Sequence, residues 1–160
     1  MIIEYESKYD NAIKELFVEL QEHIVNIDKE HFNIVGSNYG EEYFKKTMEE
    51  INSYEGKMLL YKNDDKIAGL IVGLINNDDM EEYDFKAPKR GRISELVVSS
   101  KCRSNGIGAI LLNAMEDYLK SVGCKNILIG VFAYNEGAIN FYERHGYHTR
   151  MTEMIKSIED

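Results

Sequence analysis

The sequence has little of what builds disulfide-rich, membrane-spanning or proline-rich proteins. Its 160 residues include two cysteines, one proline and no tryptophan. Two cysteines, Cys102 and Cys124, are too few for a disulfide framework or a metal cluster, so we expect two reduced thiols. No apolar run approaches the ~20 residues that span a bilayer, and the N-terminus lacks the basic segment and cleavage site of a secretory signal. These absences favour a cytoplasmic protein with no membrane partner.

Positive charge is also scarce. Nineteen lysines and arginines face 28 aspartates and glutamates, which gives a net charge of -9. An acidic surface repels phosphate backbones, so we expect no nucleic-acid partner. The same field would attract cationic ligands such as amines, or it would simply keep the protein soluble, and composition alone does not separate these two interpretations. The length and the apolar share of 44% suit a single domain over residues 1–160.

Hydrophobic periodicity predicts a mixed α/β sheet. The order of elements is β-α-α-β-β-β-α-β-α-β, in which late strands alternate with helices and predict parallel neighbours. An early hairpin makes the sheet mixed, and Gly69 and Gly73 in its second strand suggest a bulge or a close backbone approach. The apolar run 126–132 is typical of a strand buried on both faces. Predicted helices cover 9–24, 41–53, 106–120 and a short segment from Asn135, and predicted strands include 57–61, 66–75, 92–99 and a final strand over 147–155.

The most informative segment is a glycine-containing turn between a strand and the clearest helix. The turn reads Arg103-Ser104-Asn105-Gly106-Ile107-Gly108. Backbone amides at a helix start have no acceptor within the helix, and with the helix dipole they form an anion site. The spacing is not that of a Walker loop. It is not a dinucleotide fingerprint either, because the third glycine is replaced by Leu111.

Two spaced motifs together resemble the GNAT superfamily of N-acetyltransferases. The first is Arg-x-x-Gly-x-Gly directly after the strand Glu95-Leu96-Val97-Val98. The second runs from Asn135 to Tyr147 and resembles the family pattern Asn-x-x-Ala-x-x-x-Tyr-x-x-x-Gly-Phe/Tyr. The resemblance covers about residues 93–147, while the first 90 residues match only in element order. It implies a GNAT-like α/β fold, a mixed central sheet with splayed middle strands flanked by helices.

The resemblance also implies a donor substrate, acetyl-CoA, and residues that bind it. In the family, the amides of the turn hold the pyrophosphate, the preceding strand pairs with the pantetheine arm, and an asparagine binds that arm. The implied binding residues here are Leu96, Val97, Val98, Arg103, Ser104, Asn105, Gly106, Ile107, Gly108, Ala109, Asn135 and Tyr142.

Two residues are implied to be catalytic. Tyr142 matches the tyrosine whose hydroxyl lies near the thioester sulfur and protonates the leaving thiolate. Glu95 occupies a strand position that is often acidic in the family near the acceptor, so it is our candidate base or amine anchor. The branch that acetylates ribosomal-protein N-termini has a glutamate five residues before the asparagine, where this chain has Gly130. That departure weighs against an assignment to the branch.

The predicted reaction is direct attack of a neutral primary amine on the thioester, with a strand amide near Val97 stabilising the carbonyl oxygen. The acceptor is a small molecule, such as a polyamine or aminoglycoside, or a peptide or protein amine. The candidates for its pocket are His23, His31, Tyr39, Tyr43 and the acidic segment 78–82.

Two alternative functions remain open. They are a non-catalytic acyl-CoA-binding sensor and, more remotely, a dinucleotide-binding enzyme. A homodimer is possible by analogy with the family.

Overall fold

The computed structural model describes residues 1–76 and 88–158. Five strands form one sheet in the order β1-β2-β3-β4-β5. Residue contacts divide the chain into two compact units, Met1–Gly130 and Val131–Asp160. The strands are β1 (Ile2–Glu4), β2 (Lys57–Asn63), β3 (Lys66–Asn76), β4 (Arg90–Val98) and β5 (Asn126–Ile129), and the helices are α1 (Asp10–Ile27), α2 (Tyr39–Ser53), α3 (Ile107–Ser121) and α4 (Glu136–Arg144).

The sheet and all helices but α4 belong to the first unit. β1 to β4 pair antiparallel in sequence order, and β4 pairs with β5 in parallel. The predicted mixed sheet is therefore confirmed. A parallel pair needs a crossover connection, which α3 provides between β4 and β5.

Helices cover both faces of the sheet. On one face, α1 and α2 pack against alternate residues of β3, which point the same way because side chains along a strand alternate. This core contains Ile13, Leu16, Phe17, Phe44, Met58, Leu60, Leu70, Val72, Leu74 and Val97. On the other face the small size of Gly73 and Gly91 gives room to Met115 and Leu119 of α3.

A β-bulge interrupts the pairing of β3 with β4. Glu95 pairs with Val72, but the next β3 residue, Gly73, pairs with Ile93, so Ser94 is an extra residue in β4. A bulge of this kind shifts the facing of the side chains that follow it. The sequence prediction for Gly69 and Gly73 is confirmed: Gly73 lies at the bulge, and a Cβ on Gly69 would be 2.8 Å from the Val97 carbonyl oxygen.

Two details of the predicted sheet are wrong. Residues 147–155 form no strand, because a strand requires a neighbouring ladder and the described residues offer none to this segment. β5 ends at Ile129, and Ile127, Leu128 and Ile129 are only partly buried, since β5 lies at the edge of the sheet among the described strands. That residues 1–160 form a single domain stays a prediction.

Two further findings concern the cysteines and the helices. Cys102 and Cys124 are both free, as predicted. In the ranges 1–76 and 88–158, no helix has the length and apolar character that crossing a membrane requires.

Replacing Gly69 with alanine should destabilise the first unit by about 1–3 kcal/mol, because the new methyl group meets backbone that must move. Gly36→Ala is the matched control, since nothing lies within 4 Å of its Cβ position. That variant should match the wild type or gain up to about 1 kcal/mol. Urea unfolding followed by circular dichroism measures both. Equal midpoints for the two variants would contradict the close approach of β3 and β4.

Candidate active site

The turn between β4 and α3 has the geometry of an anion site. Gly106 is the N-cap of α3 with φ 73°, a left-handed conformation that suits glycine, and no side chain caps the helix. Ser104 also has a positive φ of 65°, which is uncommon for a residue with a side chain. The amides of the first turn, Ile107 to Ala109, have no acceptor within the helix. They are placed to donate to an anion.

Arg103 is held against the end of β4. Its Nε donates to the carbonyl oxygen of Val98 at 3.2 Å, and its Nη2 lies 3.8 Å from Glu19 Oε1. The same Glu19 oxygen accepts from the amide of Ser100. Glu19, on α1, therefore ties the start of the turn to the first helix and fixes the direction in which the chain enters it.

The second half of β4 has an open edge. Its pairing with β5 runs only from Arg90 with Asn126 to Ile93 with Ile129. From Ser94 to Val98 the strand has β3 as its sole partner among the described strands. Half of the backbone amides and carbonyls of this stretch point away from β3. The predicted separation of the middle strands is thus visible within the first unit, and Leu96, Val97 and Val98 lie along it.

Glu95 lies under α2 on the face that carries the α1–α2 core. Tyr43 Oη donates a short hydrogen bond to Glu95 Oε1. Tyr43 is itself fixed by two rings, since Tyr39 stacks on it at 5.0 Å between centroids and Phe17 meets its edge at 5.2 Å. The tyrosine hydroxyl is thus held where it can orient the carboxylate.

Burial, with a smaller contribution from the charge of Glu50, raises the pKa of Glu95 to about 7. The Tyr43 hydrogen bond and the charge of Lys46 act in the opposite direction. Burial and the Glu95 charge also raise the pKa of Tyr39 to about 12 and raise that of Tyr43 strongly. Both tyrosines are therefore neutral donors near pH 7, while Glu95 is divided between its two protonation states. A carboxyl poised near neutral pH suits general base catalysis.

A cleft of about 610 Å³ opens on the first unit where β4 and β5 stop pairing. It combines acidic and basic side chains with a serine. Ser94, the bulge residue, has a buried hydroxyl that finds no hydrogen-bond partner in the described parts of the chain. The lining residues are Glu50, Tyr54, Leu74, Ile75, Arg90, Arg92, Ile93, Ser94, Leu128 and Gly130.

The second unit carries the other two predicted site residues. Asn135 is the N-cap of α4, and its Oδ1 accepts from the amide of Ala138 at 3.2 Å. Tyr142 is buried in α4, with its ring 5.1 Å from Phe141 and 5.6 Å from Tyr147. The N-cap prediction for Asn135 is confirmed, and its role toward the donor stays a prediction.

The pocket candidates from the sequence divide into three groups. Tyr43 donates to Glu95, and Tyr39 stacks on Tyr43. His23 and His31 are not among the residues that line the cleft, and the acidic segment 78–82 lies outside the described residues. Sequence patterns did not single out Glu19, Glu50, Arg92 or Ser94, because their roles depend on the helix packing and on the bulge.

Replacing Tyr43 with phenylalanine should raise the pKa of Glu95 above 7, because the lost hydrogen bond favours the carboxylate. Carboxyl carbon NMR titration of labelled glutamate measures the change. Tyr39→Phe is the matched control, since the Tyr39 hydroxyl donates to Gln21 and not to Glu95. A Glu95 pKa that falls or stays constant in Tyr43→Phe would contradict the assigned donor.

Comparison with known proteins fits this geometry. The acetyltransferase (GNAT) family model matches residues 22–147. Glucosamine 6-phosphate N-acetyltransferase of Arabidopsis thaliana is 26% identical over 77% of this chain and 80% of its own length. Among solved structures, the BH1408 protein of Bacillus halodurans is similar with a TM-score of 0.86, 18% identity and 99% coverage of both chains.

A second solved structure of similar fold contains CoA. The aminoglycoside N-acetyltransferase AAC(6')-Iy in complex with CoA has a TM-score of 0.75 and 11% identity, covering 98% of this chain and 93% of that one. Structures at these identities show the fold, while the family model spans most of the chain. The chain belongs to the acetyltransferase (GNAT) family and is an N-acetyltransferase.

Proposed function

We propose that the protein transfers the acetyl group of acetyl-CoA to a primary amine by direct attack of the amine on the thioester, as one domain over residues 1–160. The observation that carries this proposal is Glu95: a carboxyl with a pKa near 7, bonded to Tyr43, on the strand whose open edge leads into the turn at Gly106. A base, a backbone edge and an anion site thus follow one another along the chain between Glu95 and Ala109, from β4 into the first turn of α3.

The donor fits the residues of the first unit. The uncapped helix start at Gly106 would hold the diphosphate, and the open edge of β4 at Leu96 to Val98 offers backbone groups to an amide-containing arm. Bound there, acetyl-CoA supplies the activated acetyl group. Arg103, Ser104, Asn105, Gly106, Ile107, Gly108, Ala109 and Asn135 are the further proposed binding residues.

Glu95 has a defined task in this scheme. An alkylammonium has a pKa near ~10.4, so an acceptor amine must lose a proton before it attacks. A base of pKa about 7 makes that transfer roughly 3–4 kcal/mol less unfavourable than an ordinary glutamate of pKa ~4.3 would. The raised pKa is therefore an advantage, provided that a fraction of Glu95 is still ionised at working pH.

The amine nitrogen bonds to the thioester carbon, and the carbon–sulfur bond breaks as the tetrahedral intermediate collapses. We assign the protonation of the leaving thiolate to Tyr142, which recovers its proton from the nitrogen of the intermediate. An amide of β4 near Val97 would stabilise the oxyanion. The products are the acetylated amine and CoA.

Replacing Glu95 with glutamine should lower kcat/KM by about 10²–10⁴-fold, because an amide cannot accept the proton. The wild-type pH profile should show an acidic limb with an apparent pKa near 7, and this limb should vanish in the variant. Glu50→Gln should instead move the limb to lower pH, since the Glu50 charge raises the pKa of Glu95. Steady-state kinetics from pH 5.5 to 9 test this. A limb that survives in Glu95→Gln would assign the base elsewhere.

Replacing Tyr142 with phenylalanine should lower kcat by about 10²-fold, within the range for loss of a general acid. The affinity for acetyl-CoA, measured by calorimetry, should hold. Tyr118→Phe is the control, because within residues 1–76 and 88–158 that hydroxyl donates to the Glu55 carbonyl alone. Equal turnover in both variants would remove Tyr142 from the mechanism.

The first experiment is acetyl-CoA calorimetry followed by a panel of amines with a thiol-release readout. The panel contains polyamines, aminoglycosides, amino sugars, amino acids and peptides with free N-termini. Release on one class supports the proposal and identifies the acceptor. Tight binding without release on any class would favour the non-catalytic acyl-CoA sensor, and an absence of binding would contradict the proposal at its first step.

A further inference from the structure

The bulge in β4 places a base and a cation on the same face of the sheet. Along a regular strand, residues three apart point to opposite faces. Arg92 pairs with Leu74 and Glu95 pairs with Val72, and these two β3 residues both point into the α1–α2 core. The extra residue Ser94 therefore brings Arg92 and Glu95 onto one face, with backbone positions at most ~10 Å apart.

Arg92 is an accessible cation in the cleft. It lies on the cleft wall with Arg90 and is exposed. Within the described residues no carboxylate comes within ion-pair distance of the Arg92 guanidinium. By contrast, the acid Glu50 on the same wall lies 3.7 Å from Lys46. The guanidinium of Arg92 is thus available to a ligand.

We propose that the cleft selects acceptors that carry an anionic group, a phosphate or a carboxylate, on the same small molecule as the amine. Arg92 binds the anion on the cleft wall, while Glu95, which adjoins the lining residue Ser94 without itself lining the cleft, receives the amine. This assignment rests on the proposed acetyl transfer. The planar guanidinium matches the oxygens of both groups in a two-bond geometry.

The spacing limits the size of the acceptor. Amine and anion must both fit between groups whose backbone positions are no more than ~10 Å apart. Amino acids and amino sugar phosphates meet this limit. Long polyamines bring several positive charges and no anion, so they would place a cation beside Arg92 and be disfavoured.

Matched pairs of amines test the proposal. One pair is glucosamine 6-phosphate and glucosamine, and the other is alanine and alaninamide. For the wild type, at least one anionic member should exceed its neutral partner about 10–100-fold in kcat/KM, the range expected for a charge-assisted bond of ~1.5–3 kcal/mol. The pair that shows the preference identifies phosphate or carboxylate as the anion.

Variants assign the preference to Arg92. Arg92→Gln should reduce it to less than about 3-fold, mainly through KM, and leave the neutral amines unaffected, while Arg92→Lys should keep part of it. Lys45→Gln is the matched control, since it removes one positive charge from an exposed position on α2 outside the cleft. Its preference should equal that of the wild type.

Binding is measured in parallel by calorimetry with CoA present, so that the two proposals can fail separately. An Arg92-dependent preference in binding without turnover would support the anion site and contradict the acetyl transfer. Turnover with no preference in either pair, or a preference that persists in Arg92→Gln, would overturn the anion site and leave the acetyl transfer intact.

Discussion

Ser94, the extra residue in β4, determines how the rest of the site is arranged. The bulge lies one residue beyond Ile93, where pairing with β5 ends. Pairing with β3 continues to Val98, so the strand stays anchored while its other edge opens. The local twist and changed facing that a bulge produces let one strand present Arg92 and Glu95 together and still deliver the chain to the turn at Gly106.

The burial of Glu95 makes the free energy of folding less favourable when its carboxyl ionises. The folded-state pKa of Glu95 is raised by burial to about 7, whereas an unfolded glutamate has a pKa near ~4.3. A raised pKa gives a contribution to stability that is complete below the unfolded value and is lost as pH rises through about 7. Folding thus becomes less favourable over the pH range in which Glu95 ionises. The base that we propose for the acetyl transfer therefore carries a cost that is common among catalytic carboxylates, because their environments suit a proton transfer and not a stable charge.

The sequence was informative where a structural signal is local. The periodicity of residues 106–120 predicted α3, the glycine spacing predicted the turn, and Asn135 predicted the start of α4. The paired motifs predicted the family. Gly73 suggested a bulge or a close approach on β3, but the extra residue on β4 left no signal of its own, since Ser94 in Ile93-Ser94-Glu95 is recognised as inserted only from the register with β3. The final strand over 147–155 was wrong for the converse reason: its apolar residues favour a strand, but pairing depends on a neighbour that local pattern does not supply. The pKa of Glu95 required the packing of α2, which brings Tyr43 from 52 residues away.

The net charge of -9 repels an anionic acceptor, whereas the arginines of the cleft attract it. The two effects act over different distances. The global charge repels an anion at long range, but at physiological salt it is screened over about 8 Å. Inside the cleft the nearest groups dominate, because a guanidinium in direct contact with the anion interacts far more strongly than distant, screened surface carboxylates. Net charge therefore affects the association rate of an acceptor, and Arg92 affects its dissociation rate. An acceptor with one amine and one anionic group has little net charge, so the long-range field scarcely opposes its approach, while both of its ends find a complementary partner on β4.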